Sequence, residues 1–202
     1  MKTKLGIALA AAVAAVLLTA SCSSSGDATG STSKGNVAVT LKATGRVVGA
    51  AAGGAGDGSD DGSEGPTAAT IVISAASART TDGTLVPFAG TFPQTVDLLA
   101  LASSGGSVTL PPDTLPEGSY DAIELWITQA SITLHDGTII TITPPGSGWQ
   151  VLIPVTFDVV PGQTTTITLN LSCDHSFEFV DGEFEFHPEL EVEGVENEDD
   201  DD

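Results

Sequence analysis

Cys173, Asp174 and His175 stand consecutively, bringing a thiol, a carboxylate and an imidazole together. A thiolate beside an imidazole can serve as nucleophile and base, or hold a soft metal. On an extended strand, Cys173 and His175 would share one face. Nucleophilic catalysis also needs an orienting group and oxyanion donors, and a zinc site needs more ligands. The neighbouring residues supply neither, so Cys173 reads as a small buried apolar side chain beside a surface turn.

Other chemistry-bearing residues are thinner still. Asp57, Ser59, Asp61 and Gly62 match the first half of a calcium loop, but Ala68 stands where the bidentate glutamate belongs. In so Gly- and Asp-rich a stretch, composition favours a loop without a site. His135, beside Asp136-Gly137, and His187 are each expected to hydrogen-bond locally. Tyr120, Trp126 and Trp149 could form an aromatic platform, although burial explains them better because aromatics bury large areas. There is no Gly-rich phosphate loop before a helix, no G-x-S-x-G and no H-E-x-x-H. The expectation is therefore not an enzyme, with no cofactor, no catalytic residue and no dedicated metal site.

One pattern remains. Glu183, Glu185, Glu189, Glu191 and Glu193 alternate with Phe184, Phe186, Pro188, Leu190 and Val192. With strand period two, the apolar set faces a core and the glutamates, with His187, face solvent. Pro188 marks an edge strand or a bulge. Carboxylates two apart sit about 6.6–6.8 Å apart along a strand, too few and too spread for calcium's 6–8 oxygens. The expectation is weak, diffuse cation contacts at these five glutamates.

Charge and address come next. The chain has 202 residues and a formal net charge of −21, and none of its six Lys and Arg follows Arg79. Such a surface repels nucleic acid, which needs basic patches. Lys2 and Lys4 precede an unbroken apolar run, Leu5 to Leu18, and then Thr19-Ala20-Ser21-Cys22. That is a secretory signal pattern, and its ending resembles the lipobox of bacterial lipoproteins. The resemblance implies that residues 1–21 are removed, that Cys22 is acylated, and that the lipid anchors the protein in a membrane. By the same resemblance Ser23 permits the outer membrane, which, with the cell surface, is expected over the inner membrane. With Cys22 carrying lipid, Cys173 has no disulfide partner in the chain.

The elements that must position these residues read as strands. Residues 22–35 have the composition of a flexible tether, 49–66 of a disordered Gly- and Asp-rich loop, and 194–202 of an acidic disordered tail. Between them lie short apolar segments separated by turn signals, with no helix-length periodicity. Residues 36–44, 70–78, 120–128, 149–159 and 164–171 are expected strands. Residues 131–135 and 138–143 form an expected hairpin with a primed turn at Asp136-Gly137. Many short strands with regular turns describe an all-β chain, a β-sandwich or barrel, here over residues 36–193.

Thr95-Val96-Asp97-Leu98-Leu99-Ala100-Leu101, Leu115-Pro116-Glu117-Gly118-Ser119-Tyr120-Asp121-Ala122-Ile123-Glu124-Leu125 and Phe186-His187-Pro188 together resemble domain-of-unknown-function family 4382 of exported prokaryotic lipoproteins. The resemblance spans residues 36–192 and implies a prealbumin-like or immunoglobulin-like β-sandwich, with no activity attached. The resulting expectation is a membrane-anchored, non-catalytic binding or structural module of the cell envelope, with an unknown protein or glycan partner. The alternative is a calcium-responsive structural protein using the acidic face and tail.

Overall fold

The structure, a computed structural model, describes residues 33–47 and 65–199. The signal segment, Cys22, most of the tether and residues 49–64 of the expected loop, including Asp57 to Gly62, lie outside the described residues.

In chain order the elements are β1 (Lys34–Thr44), β2 (Ala68–Thr80), β3 (Leu85–Pro87), β4 (Gln94–Asp97), α1 (Leu98–Ser104), β5 (Ser107–Thr109), β6 (Asp113–Pro116), β7 (Gly118–Thr133), β8 (Ile139–Ile142), β9 (Trp149–Val159), β10 (Gln163–Ser172), α2 (Cys173–Ser176), β11 (Phe177–Val180), β12 (Glu183–Phe186) and β13 (Leu190–Asp199). One sheet runs β13-β10-β1, with β5 and β6 sharing the far edge of β1; β1 and β10 are parallel. The second has β2 and β7 at its centre, β3 and β4 along one edge, and β8 and β9 along the other. The hairpin β11–β12 forms a separate two-stranded sheet.

Alternation decides which faces are buried. Val37, Val39 and Leu41 of β1 and Ile167, Leu169 and Leu171 of β10 join Ile123, Leu125 and Ile127 of β7 in one core. Phe157 of β9 packs there too, stacked on Tyr120 with ring centroids 5.1 Å apart. Two sheets closing on one apolar layer make this a β-sandwich, the fold class expected from the strand pattern.

Local chemistry departs from expectation in three places. Seven residues, Leu98–Ser104, form a helix because Asp97 accepts a hydrogen bond from the Ala100 N–H and left-handed Gly105 closes the other end. At Asp136-Gly137 only Gly137 has positive φ, and its N–H donates to the Leu134 carbonyl. That is a one-residue-longer turn, not a primed one. The primed pattern occurs instead at Asp181 (φ 52°) and Gly182 (φ 95°), joining β11 to β12. Finally, β13 continues through 194–199, paired with β10. The acidic tail expected from residue 194 is thus strand as far as Asp199.

Candidate functional site

The glutamates at 183–193 do not lie on one strand. Phe186 ends β12, and the chain turns through His187, Pro188 and Glu189 before β13 begins. The His187 N–H donates to the Ser176 carbonyl (2.8 Å), and the Glu189 N–H donates to the Ser176 hydroxyl (2.9 Å). Proline can supply no N–H between them, so the ladder stops there. Glu183 and Glu185 consequently belong to the hairpin, while Glu191 and Glu193 belong to the main sheet. All five glutamates are exposed and Phe184 and Phe186 are buried, as the alternation predicts.

The two halves have different neighbours. Thr168 pairs with Gly194 and Leu169 with Val192, so Glu193 is the extra residue of a bulge. Bulges re-aim side chains, and Glu193 meets Lys42 of β1 at 2.9 Å. In the hairpin, Glu178 lies directly across from Glu185, a like-charge pair that is unfavourable. Glu185 contacts His187 at 3.0 Å. Among the described residues, no three His, Cys, Asp or Glu side chains come together as a metal site.

Cys173 and His175 are not a pair. They occupy the single helical turn α2 instead of a strand, so the 173–175 spacing turns them apart. Cys173 is fully buried, and burial, followed by the charges of Asp174 and Asp97, pushes its thiol up to about 11. A nucleophile needs the opposite shift. His175 lies outside, 3.4 Å from Glu189 and 3.2 Å from the Ser172 hydroxyl. That hydroxyl donates to Asp174 (2.9 Å), holding its carboxyl below the usual range.

The aromatic platform is dismantled as well. Tyr120 is buried and donates from its hydroxyl to the Pro116 carbonyl at 2.8 Å. Trp126 lies on the outer face of β7, where a Cβ on Gly148 would come 2.7 Å from its indole nitrogen. Trp149 instead meets Phe186 edge to face, 4.9 Å between centroids.

What the sequence reading missed is a groove of about 730 Å³ beside that Trp149–Phe186 contact. Binding sites for small ligands fall at roughly 300–1,000 Å³. One wall is residues 140–145, β8 and its continuation; the other is residues 182–187, β12 with its flanks. Trp149 and Phe179 complete it. Phe179 is 39% exposed and stacks edgewise on Phe184. Glu183, Glu185 and His187 line the same side. The signal was present in the alternating Phe177, Phe179, Phe184 and Phe186. Which sheet they would join was not legible there.

Residues 59–188 match the family model of the domain of unknown function DUF4382, and the chain belongs to that family. No curated protein matches the chain. Three solved structures resemble it distantly. A "putative cell adhesion protein" from Bacteroides eggerthii is 16% identical over 82% of this chain and 55% of that one, with TM-score 0.37. Another so described, from Bacteroides ovatus, is 10% identical over 83% and 45%, with TM-score 0.30. MbnP from Methylosinus trichosporium is 14% identical over 67% and 76%, with TM-score 0.30. This chain thus spans about half the length of the two Bacteroides proteins. Likeness this distant says nothing about function.

Proposed function

We propose that the protein is a lipid-anchored envelope protein whose β-sandwich is a non-catalytic binding module, with the groove between β8 and β12 as its binding face. The observation that carries this reading is the groove itself, walled by two strand edges, floored by aromatics and lined on one side by glutamates. The reactive residues support it from the other direction. Cys173 is buried with its thiol raised, and Asp174 and His175 are exposed side chains on the single turn beside it. Anchoring rests on the sequence around Cys22, which resembles a lipobox. Among the described residues no helix is long and apolar enough to cross a membrane.

Two measurements test the reading. Mass spectrometry of the full chain expressed in a bacterial host should find acyl chains on an N-terminal Cys22, and Cys22→Ser should release the protein from membranes. A screen of peptides and oligosaccharides should yield a ligand whose binding falls when Phe179 is changed to Ala. A ligand bound equally well by Phe179→Ala and Glu185→Gln would place the binding face elsewhere.

A further inference from the structure

Resting on that reading of the groove, we infer that its occupant is an extended peptide segment, basic and apolar in alternation, which adds as a strand to the free edge of β8.

Both walls contribute consecutive residues, 140–145 and 182–187. A strand presenting a face would contribute every second residue, because its side chains alternate. A strand presenting its edge contributes all of them. β8 bonds to β7 through Ala130–Thr133 on one side, and β12 bonds to β11 on one side. They belong to separate sheets, so the rows of N–H and C=O groups that face the groove are unpaired with each other. Such rows are templates for another strand. Cα atoms of β8 and β12 approach within 8 Å, less than the roughly 9.5 Å a strand bonded to both would need. No strand fits between them at that closest approach, so the segment bonds to β8 where the groove opens and reaches β12 through its side chains alone. β8 is the firmer template, since it continues the sheet built on β7, whereas β12 has only β11 bonded beside it.

Charge defines the side chains of the occupant. Glu183 and Glu185 stand along the groove, and Glu178 directly opposes Glu185. Of the four Lys and Arg among the described residues, Lys42 is committed to Glu193 and Arg79 to Asp121. Lys34 and Arg46 do not line the groove. A cation from outside would relieve the Glu178–Glu185 opposition. Apolar side chains at alternate positions would meet Phe179, Ile140 and Trp149. Sugar is the weaker fit. It requires an open aromatic face, yet Trp149 meets Phe186 edge-on and Phe184 and Phe186 are 8% and 2% exposed.

The test uses the full chain and the hexapeptide Val-Lys-Val-Lys-Val-Lys, end-capped and fluorescently labelled. Its arms are the same peptide N-methylated on alternate backbone nitrogens, in both phases, a Glu-for-Lys peptide, and cello- and chito-oligosaccharides. Binding is read by anisotropy, and the site by amide hydrogen exchange. The expected result is binding by the Lys peptide, protection at Ile139–Ile142, and a loss of about tenfold or more in one N-methylation phase. Glu183→Gln with Glu185→Gln should weaken binding about threefold to tenfold, as two exposed ion pairs would. Equal binding of both N-methylated phases, or protection away from β8, overturns strand addition. Protection of groove amides by an oligosaccharide but not by the peptide overturns the peptide proposal and leaves the groove as binding face. If neither probe protects any groove amide, both readings fall.

Discussion

Glu183 and Glu185 on β12, and Glu191 and Glu193 on β13, look alike in sequence, yet they serve unlike regions. β13 is bonded along its length to β10 inside a main sheet, and its bulge delivers Glu193 to Lys42. β12 has only β11 beside it, keeps a like-charged pair across the hairpin, and lines a groove. The same alternating text thus yields a sheet border in one place and a candidate binding wall in the other. The difference lies in backbone pairing, which Pro188 interrupts.

The largest expected effect measures how unequally the two regions carry stability. Leu169, fully buried opposite Val192, should cost about 2–5 kcal/mol as Leu169→Ala. Phe179→Ala, at a half-open position, should cost about 1 kcal/mol or less. Urea unfolding of both variants checks the contrast; equal losses would mean that Phe179 is packed as tightly as the core that Phe177, Phe184 and Phe186 of the hairpin already join.

Cys173 lies at the junction of the regions. Its thiol is raised from the ordinary 9 to about 11, so the folded state holds a proton that the unfolded state releases between those values. The resulting stability is fully present below about pH 9 and is lost as pH rises through 11, a loss of about 3 kcal/mol in all. Urea midpoints at pH 8, 9 and 10 should fall in that order, and Cys173→Ala should flatten the trend. An unchanged slope in that variant would assign the alkaline loss to other groups.

Deleting residues 196–202 sharpens the comparison from the other strand. The Thr165 hydroxyl is buried, 2.9 Å from Asn197 Oδ1 and 3.0 Å from the Asp158 carbonyl. Thr166 pairs with Glu196, and Thr165 with Asn197. Removal uncovers that edge and should lower stability by about 1–2 kcal/mol. A thermal midpoint identical to the full chain's would mean the acidic end carries no structural weight.

The smallest effect concerns charge. Lys42→Gln should cost about 0.2–1 kcal/mol at low salt, because the Lys42–Glu193 pair is exposed. Glu185→Gln should be neutral or slightly stabilising, since it removes the opposition to Glu178. Added sodium chloride should shrink both differences, as screening acts over about 8 Å at physiological strength.

Much of the sandwich was legible because strand alternation is a local property. Ile123, Leu125 and Ile127 face inward, as do Ile153, Val155 and Phe157; β9 falls on its expected bounds, whereas the strands expected at 120–128 and 131–135 are one continuous strand, β7. The outward glutamates were legible for the same reason. Cys173 is the buried apolar side chain beside a turn that the sequence suggested; the strand face it would have shared with His175 does not form because one helical turn intervenes, and α1 was missed because seven residues leave little periodicity to read. Strand parity alone would put Tyr120 on the face of Trp126, six residues on, but the register shift between Tyr120 and Ala122 turns Tyr120 into the core. Such irregularities leave no mark on an alternating pattern.

Composition and period alone therefore determined an acidic, strand-built chain with its apolar faces inward, because side-chain direction on a strand follows from position within it. Only the tertiary structure decided that β1 runs parallel to β10, that β12 leaves both sheets, and that its edge faces β8 across a groove. Those are matters of which backbone edge finds which partner. Edge pairing depends on distant segments competing for the same hydrogen bonds, and no window of sequence contains both competitors.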